Sequence, residues 1–562
     1  MGSLLVVVLG LLAIAGVRVL AERVGVAAPL LLVLVGVAVS VLPGVPPVVV
    51  DPEWVLAGIL PPLLFSSAVA MPAMDFRRAF GAVSGLSVVL VVVSSVVVGL
   101  LVSLLVPGLG IAGGIALGAI LAPTDAAATA IVRRVGVTSR VVTVLDGEGL
   151  LNDATALVLL RAAIAASAVS VSIGGVVGQF ALAVVVAVVL GIVVGRLGLA
   201  VRRRIADPTV NTVLSFATPF VASLPAEELG ASGLVAAVAA GLVTGHGATR
   251  SLPVQHRLSD TESWRTVELV LEGTIFLLMG LELTAVLEDL HRDGGAVGLG
   301  LGLAAVALVA TVVVRAGYVS GLVLWLRASA RRGAAMQDQL QEMNAQLEAG
   351  EQVTIRGRAV SLTSPRRIAA FGQRLRLQIA DIDYFRRAPL GPREGTVIVW
   401  AGMRGAVTLA AAQTLPTDFP ERSLLVFVAF TVAAGSLLLQ GGTLALLVRW
   451  IRPARAEVPS AAEQEALRDR LTAANLEVLD RHLDEPEIAA FRERLADRDG
   501  RPDPATASDT RVRVRLEMIE AQRAALLDAR DEGRFTSSAL AAALENLDAE
   551  QISLELRSAQ LE

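Results

Sequence analysis

The chain has 562 residues, of which 54% are hydrophobic and 18% are charged, and its formal net charge is −4. A mean hydropathy of +0.67 is too high for a soluble protein of this length, and we expect no nucleic-acid partner. The sequence has no cysteine, which excludes disulfides and thiolate metal sites. It also has no lysine, so every fixed positive side-chain charge is an arginine.

Apolar segments recur over the first 450 residues, and stretches such as residues 88–106 carry no charge. About twenty such residues suffice for a helix to cross roughly 30 Å of hydrocarbon. The first segment lacks the basic start and the cleavage site of a signal peptide, so we interpret it as a retained helix. We predict an all-helical membrane protein with thirteen spans, at residues 3–20, 27–43, 54–71, 84–106, 109–132, 141–168, 173–200, 209–225, 229–245, 263–287, 296–327, 395–415 and 423–448.

The connections between these spans alternate in charge. Every second connection is rich in arginine, namely Arg18, Arg23, Arg77, Arg78, Arg133, Arg134, Arg140, Arg202, Arg203, Arg204, Arg250 and Arg257. The others are mainly acidic, with Asp51, Glu53, Glu227, Glu228 and Asp418. By the positive-inside rule the amino terminus is outside and the carboxyl terminus is cytoplasmic. Termini on opposite sides require an odd number of spans, and thirteen meets this requirement.

Two stretches are predicted to lie in the cytoplasm beside a transmembrane domain at residues 1–450. They are an insertion at residues 328–394 and a helical domain at residues 453–562. In that domain, apolar residues between positions 512 and 526 fall on one helical face, and Gly533 is a predicted helix stop. We expect this domain to pack on itself or on a partner subunit, and a regulatory ligand site is the alternative.

Ionisable residues within the predicted spans carry the strongest functional signal, because a charge inside a membrane is costly unless it is neutralised, paired or hydrated. They are Asp125, Asp146, Glu148, Asp153, Arg161, Glu268, Glu272, Glu282, Arg315 and Arg404. Asp146 and Glu282 lie near span ends, where we expect them to face water. Arg161 lies deeper, and the sequence does not identify a partner for it.

The densest group begins in span five, where Pro123 precedes Thr124 and Asp125. Proline removes a backbone hydrogen bond and frees carbonyl groups. A membrane tolerates free carbonyls only where they line a cavity or meet a partner. Their oxygens suit a hard cation such as Na⁺, so the sequence predicts a cation site at this break.

Span six supplies the other half of that group. Glu148 and Asn152 are four residues apart and share a helix face, and Asp153 lies about 100° further around the helix. Desolvation disfavours the charged form of a buried carboxyl group. Such a group can hold either a proton or a metal cation but not both, as an ion exchanger requires. A polar pair that only packs helices is the alternative interpretation.

Span twelve has a matching irregularity at residues 402–405, where Arg404 lies between glycines. Irregular segments at corresponding places in two halves indicate an inverted repeat with its site at the membrane midplane. Arg404 would neutralise carbonyl ends or a carboxylate there. Arg315, in span eleven, cannot lose its proton and needs an acid, for which Glu148 is the first choice and Glu272 the second.

Together these motifs resemble the monovalent cation/proton antiporters of the sodium/proton exchanger family, in the bacterial branch with an Asn-Asp pair. The matches occur in family order over most of residues 1–450. They are Pro123-Thr-Asp125, Glu148-Gly-Leu-Leu-Asn-Asp153, Glu272-Gly-Thr-Ile-Phe-Leu-Leu-Met-Gly280, Arg315 and Gly402-Met-Arg-Gly405.

The resemblance implies an inverted-repeat fold of thirteen helices with crossed, broken helices in spans five and twelve. It implies a homodimer in the lipids of the bacterial plasma membrane, in which a core domain slides against a dimerisation domain to give alternating access. The chain would be a transporter and not an enzyme, and would exchange Na⁺ for H⁺ with no cofactor besides these transported ions.

The resemblance also implies roles for single residues. Asp153 would carry the ion or the proton. Asp125 and Thr124 would complete the site, the threonine partly through its backbone, and Asn152 would stabilise the crossing. Electrogenic relatives have an aspartate at the position of Asn152, usually with a lysine nearby, so we predict electroneutral exchange of one cation for one proton.

Glu148 and Arg315 would form a buried ion pair, with Glu272 and Arg404 in supporting positions. The chain departs from the family in Gly149, where serine is common, and in Ser66, where some relatives have glutamate. These departures leave the choice among Na⁺, K⁺ and Li⁺ open, so K⁺/H⁺ exchange on the same fold is the alternative.

Two other classes of function are remote. An intramembrane aspartyl protease would need two carboxylates that share a proton, and its Tyr-Asp and Gly-x-Gly-Asp patterns are absent from the sequence. A passive cation channel would need rings of carbonyls or charges around a symmetric pore, and a single asymmetric Asn-Asp site does not match that requirement.

Overall fold

The computed structural model describes residues 2–168, 173–349, 354–355, 358–359, 365–455, 460–482 and 509–559. It divides into two compact units. The first comprises Met1–Leu326 with Leu390–Ala456, and the second comprises Arg327–Pro389 with Glu457–Glu562. The predicted spans fall in the first unit, except for residue 327 at the end of the eleventh.

Helices account for nearly all of the described chain. In its first part they are α1 Gly2–Val24, α2 Ala28–Ser40, α3 Leu60–Ala70, α4 Ala73–Ser84, α5 Val91–Leu105, α6 Gly110–Leu121, α7 Ala127–Val135, α8 Ser139–Ala168, α9 Ile173–Arg202, α10 Pro208–Glu228, α11 Gly233–Ser251, α12 Val254–Leu281, α13 Leu283–Arg292 and α14 Val297–Glu348. After them come β1 Thr354–Ile355, β2 Arg358–Ala359, α15 Pro365–Arg387, α16 Pro392–Trp400, α17 Ala406–Gln413, α18 Arg422–Ser436, α19 Gly442–Ile451, α20 Ala461–Asp480, α21 Asp509–Glu532 and α22 Ser537–Ala559.

Seven helices of the described chain are long and apolar enough to cross a membrane. They are Leu4–Val24, Ala73–Leu105, Ser139–Ser167, Ala181–Arg202, Val254–Arg292, Val297–Leu347 and Arg422–Ile451, and shorter apolar helices occur at Ala28–Ser40, Trp54–Ala70 and Gly110–Leu121. The prediction of a helical, multi-span membrane protein is therefore confirmed. Among the described residues, the only strands are those of the antiparallel pair β1–β2, in which Thr354 pairs with Ala359.

Helix α14 is longer than predicted. The sequence predicts a span that ends at residue 327, whereas the helix continues to Glu348. Residues 328–348 consist mostly of alanine, arginine, glutamine, glutamate, leucine and methionine, which are strong helix formers, and they include no proline. The predicted insertion therefore begins as a helix and not as a loop.

Three π-helical turns interrupt the described helices, at Trp54–Ile59, Gly85–Leu90 and Leu437–Gly441. The first leads into α3, the second joins α4 to α5, and the third joins α18 to α19. Such turns frequently lie at functional sites. The third follows Ser436, which contacts the candidate site described below.

Small residues bring the helices of the first unit close together. A Cβ atom at Gly241 would lie 2.6 Å from the Phe65 carbonyl oxygen, so α11 packs directly against the backbone of α3. A Cβ at Gly118 would overlap the Ser95 carbonyl, which places α6 against α5 in the same way. Close approach through small residues is typical of membrane helices, and here it fixes the end of α6, where the candidate site begins.

The second unit contains a helical bundle with its own apolar core. Ile519, Leu526, Leu540 and Leu547 are buried together from α21 and α22. Helix α21 ends at Glu532, and Gly533 follows with a φ of 70°, where the sequence predicts the helix stop. Through hydrogen bonding, the Arg470 guanidinium holds the pKa of Glu532 below its usual value.

Candidate functional site

Two helix breaks meet in the first unit. Helix α6 ends at Leu121 and α7 begins at Ala127, and the chain between them contains Pro123. The Asp125 backbone N–H donates to the carbonyl oxygen of Met403 at 2.8 Å, within the break between α16 and α17. Backbone groups that the breaks release from helices therefore satisfy each other, which meets the requirement for irregular backbone inside a membrane.

Arg404 stabilises the same meeting point through carbonyl groups. Its Nε donates to the Leu121 carbonyl at 2.8 Å, and its Nη1 donates to the carbonyl of Gly402. The Arg404 backbone N–H donates to Ser436 Oγ at 2.9 Å. The sequence suggests either carbonyl ends or a carboxylate as the partner of this arginine. In the structure Arg404 contacts carbonyl ends, where its charge offsets the negative ends of the broken helices.

The glycines of the 402–405 motif make room for two charged side chains. A Cβ atom at Gly405 would overlap the Asp125 carboxylate, and one at Gly402 would overlap the Arg315 guanidinium. Neither glycine has a positive φ, and Gly405 has a φ of −123°, so the requirement at these positions is space and not backbone conformation.

Glu148 lies at the centre of a buried network. Arg315 forms a bidentate ion pair with it, with Nη2 at 2.8 Å from Oε2 and Nη1 on Oε1, and both side chains are 2% exposed. Arg315 Nε donates to the carbonyl of Ile398 at 3.0 Å, and Thr124 Oγ1 donates to Glu148 Oε1 at 3.0 Å. The structure thus brings Arg315 to Glu148, the first of its two possible partners.

Asn152 connects this network to the break in span five. Its Nδ2 donates to the Thr124 carbonyl at 3.1 Å and to Thr124 Oγ1 at 2.9 Å. Its Oδ1 is buried, and no hydrogen-bond donor reaches it from the described residues. Thr124 is therefore held from both sides, by Asn152 and by Glu148, and its carbonyl is fixed next to Asp125.

Asp125 and Asp153 are the two carboxylates at this point. Asp125 Oδ1 accepts a hydrogen bond from the Ala127 N–H at 2.7 Å, at the start of α7. Asp153 is 7% exposed and is close enough to Asp125 for their charges to interact. No hydrogen bond to the Asp153 carboxylate is present within the described chain. Two neighbouring buried carboxyl groups repel each other when both are charged, and a cation or a proton between them would relieve that repulsion.

Glu272 lies near Asp125. It interacts electrostatically with Asp125, Glu268 and Arg18, and it lines a cavity of about 620 Å³. Glu268, in turn, accepts a hydrogen bond from Ser66. The structure therefore places Glu272 near the site but not on Arg315.

The expectation for Glu282 is wrong, and Arg161 has a partner that the sequence does not identify. Glu282 does not face water: it is 4% exposed and accepts hydrogen bonds from the Val50 N–H at 3.1 Å and Gln413 Nε2 at 3.0 Å. Arg161 does have a partner, Glu227, at 3.0 Å. These three partners lie far away in sequence, so spacing along the chain gives no sign of them.

A second buried network was not predicted. Arg202 is 2% exposed, pairs with Asp260 and donates to Asn211 Oδ1 at 2.7 Å. Trp264 Nε1 donates to Ser215 Oγ at 3.0 Å, and Ser215 also accepts a hydrogen bond from Arg202. The sequence places Arg202 in a basic connection. The polar residues four apart in α10 are the signal that could have indicated a buried partner.

The comparison with protein families identifies the fold and the class of function. The model for the transmembrane part of sodium/hydrogen exchangers matches residues 8–450. The chain belongs to the sodium/hydrogen exchanger family. As a member of this family it is a multi-pass membrane transporter and not an enzyme, which confirms both predictions.

Relatives of this exchanger-family chain occur in several bacteria. An uncharacterized Na(+)/H(+) exchanger of Mycobacterium tuberculosis is 30% identical over 98% of this chain and 96% of its own length. A "sodium, potassium, lithium and rubidium/H(+) antiporter" of Bacillus pumilus is 25% identical over 75% of this chain and 57% of its own. The solved structure of the sodium proton antiporter MjNhaP1 from Methanocaldococcus jannaschii has a TM-score of 0.52 at 15% identity and covers 80% of this chain and 99% of that one, which shows a shared fold.

Proposed function

We propose that this chain exchanges Na⁺ for H⁺ across the bacterial plasma membrane, with Asp153 as the carrier that binds either ion. One observation carries the proposal. The two arginines nearest the helix breaks are already engaged, Arg315 by Glu148 and Arg404 by carbonyl groups. Asp125 and Asp153 are thus left without a fixed cation among the described residues, and a mobile cation or a proton would neutralise them.

Asp125 and the Thr124 backbone complete the proposed site. The Thr124 carbonyl accepts one hydrogen bond from Asn152 and keeps a second lone pair for a cation. Asp125 Oδ1 is oriented by the Ala127 N–H, while Oδ2 lies against Gly405. Asn152 holds Thr124 in place and adds no titratable group, which supports an electroneutral exchange of one cation for one proton.

The proposed architecture is that of thirteen spans in two inverted repeats, with the broken helices of spans five and twelve crossing at the site. The meeting of Asp125 with Met403 supports it, because these residues belong to spans seven apart in sequence order. The amino terminus lies outside and the carboxyl terminus in the cytoplasm. The chain acts as a homodimer embedded in lipid, and its core domain moves to give alternating access.

K⁺ is the second candidate substrate. The relative from Bacillus pumilus is named for sodium, potassium, lithium and rubidium, so one member of the family has a broad cation range. At Gly149 this chain lacks a hydroxyl that a small cation could use. A Cβ added there would have only Ala126 Cβ nearby, at 3.9 Å, so the space beside the site is open.

The experiment that tests the proposal is dequenching of a pH-sensitive dye in proteoliposomes after addition of Na⁺, K⁺ or Li⁺. We expect Na⁺ to collapse an imposed pH gradient in the wild type and expect Asp153→Asn to abolish the response. Asp146→Asn is a matched control. Asp146 is on the same helix, but its carboxylate forms an ion pair of 2.8 Å with Arg133 and not a contact with the site. Exchange that persists in Asp153→Asn would show that another group carries the ion.

A further inference from the structure

The cavity of about 620 Å³ next to the site is lined by an excess of positively charged residues. Its inner wall includes Ala127, which binds Asp125, and Glu272, which interacts with Asp125 electrostatically. Its lining also includes five arginines, Arg18, Arg134, Arg449, Arg452 and Arg455. Glu272 is the single acid among the described residues that line it.

Most of this positive charge is not neutralised by the protein. Arg18 has Glu22 at 3.6 Å. For Arg134, Arg449, Arg452 and Arg455, no carboxylate lies within ion-pair distance in the part of the chain that the structure describes. Guanidinium groups stay charged at any physiological pH, so the four cannot relieve their mutual repulsion by losing protons.

Several separate segments of the chain bring these arginines to one cavity. They come from separate segments, with Arg134 at the end of α7 and Arg449 in the last turn of α19. Arg452 then adopts a left-handed conformation with a φ of 50°, which is unfavourable for a residue with a side chain. The turn carries Arg455 back to Val137, with which it forms an antiparallel bridge, and the Thr138 N–H donates to Ala454 at 3.1 Å.

The positive-inside rule explains why arginines are found at this end of the helices, but it does not explain why several segments direct them to one cavity. A non-glycine residue in a left-handed conformation persists only where surrounding contacts hold it, and such residues cluster at functional sites. Arginine forks match phosphate oxygens in a bidentate geometry, and a cavity of this volume is large enough for a small anionic molecule.

We propose that this cavity is a binding site for a phosphate-bearing anion, either a lipid headgroup or a soluble phosphate. Bound there, the anion offsets the positive charge that a cation must pass on its way to Asp125 and Asp153. The anion is therefore an activator of exchange; this part of the inference rests on the proposed function. The binding of the anion does not rest on the proposed function, because the site consists of arginines that take no part in holding Asp153 or Glu148.

A binding experiment tests the site independently of transport. The thermal unfolding midpoint of the purified full-length chain in detergent is measured with inorganic phosphate and with chloride at equal ionic strength. We expect phosphate to raise the midpoint by several degrees in the wild type and not in Arg449→Gln/Arg452→Gln. The control is Arg203→Gln/Arg204→Gln, which removes two exposed arginines that do not line the cavity and should keep the shift.

A transport experiment separates the two sources of the anion. Exchange at sub-saturating Na⁺ is compared in phosphatidylcholine vesicles, in the same vesicles with inorganic phosphate on both sides, and in vesicles that contain phosphatidylglycerol. We expect at least a threefold acceleration by phosphatidylglycerol if the anion is a lipid headgroup, and by inorganic phosphate if it is soluble. The Arg449→Gln/Arg452→Gln variant should be fast in all three.

The proposal is overturned if the cavity variant and the control variant respond equally to phosphate in the unfolding measurement and also respond equally to both phosphate and phosphatidylglycerol in the transport measurement. If no preparation exchanges ions at all, the proposed function fails, and the unfolding measurement still decides whether the anion site exists. The two failures are thus distinguishable.

Discussion

Gly405 lies directly against the carboxylate of Asp125, so closely that a side chain at position 405 would occupy the place of Asp125 Oδ2. Gly402, three residues earlier, leaves room for Arg315 in the same way. One short motif therefore makes room both for the Asp125 carboxylate and for the Arg315 guanidinium that pairs with Glu148. Since both contacts are steric, they can be tested by adding a single methyl group.

The first prediction concerns Gly405→Ala. Because the added Cβ overlaps the Asp125 carboxylate, this side chain must move, and we expect the Na⁺-dependent exchange rate to fall at least tenfold. The backbone φ of −123° suits alanine, so the effect should come from the displaced carboxylate. Gly435→Ala in α18 is the control, because nothing lies within 4 Å of a Cβ there. A Gly405→Ala protein with the wild-type rate would contradict the role of this contact.

The second prediction concerns the buried ion pair. Removal of one partner leaves an uncompensated buried charge, which costs about 3–5 kcal/mol. We expect Arg315→Gln and Glu148→Gln each to lower the thermal unfolding midpoint more than the double variant does. Arg161→Gln is the comparison, since Arg161 and Glu227 are 60% and 40% exposed and such pairs contribute about 0–1 kcal/mol. Additive losses in the double variant would show that the pair is not coupled.

The sequence predicts the class of fold well, and the residues it proposes for the site lie close together in the structure, because the signals are local. Proline beside Asp125, glycines beside Arg404 and charges inside apolar segments each mark an irregularity that a membrane tolerates only for a reason. A buried arginine needs an acid, and the sequence limits the partner of Arg315 to Glu148 or Glu272 because few acids are available.

Contacts between distant segments could not be predicted in the same way. Glu282 accepts from Val50 and Gln413, and these lie at separate places in the chain whose approach depends on helix packing. Likewise, the sequence places Arg202 in a connection. Its buried position could not be predicted, because its partners in α10 and α12 reach it only through helix packing. The sequence underestimates the length of α14 for a different reason. Polar helix formers continue this helix beyond the apolar part that marks a membrane span.

The third prediction concerns Gly149→Ser, which restores the hydroxyl that is common in the family. The structure leaves room for it, since the nearest atom to an added Cβ is Ala126 Cβ at 3.9 Å. One more oxygen ligand is worth about 1 kcal/mol, so we expect the Na⁺ concentration for half-maximal exchange to fall about fivefold. Gly149→Ala controls for the added bulk. If serine and alanine behave alike, position 149 does not contribute a ligand.

The fourth prediction concerns the charge balance of the exchange. Asn152 is neutral and donates two hydrogen bonds to Thr124, from Nδ2 to the carbonyl and to Oγ1. In Asn152→Asp the new side chain can keep one of these bonds when it is protonated and neither when it is charged. Its protonation would therefore change with the occupancy of the site, and a second proton would be coupled to each cation.

We accordingly expect exchange by the wild type to be independent of an imposed membrane potential and exchange by Asn152→Asp to depend on it. The measurement is the initial rate of dye dequenching at two K⁺ diffusion potentials set with valinomycin, with Na⁺ as the exchanged ion. Asn152→Ala loses the same hydrogen bonds without adding a titratable group, so it should be slower but insensitive to voltage. Voltage dependence in the wild type would refute electroneutral exchange, and its absence in Asn152→Asp would show that position 152 does not set the number of protons.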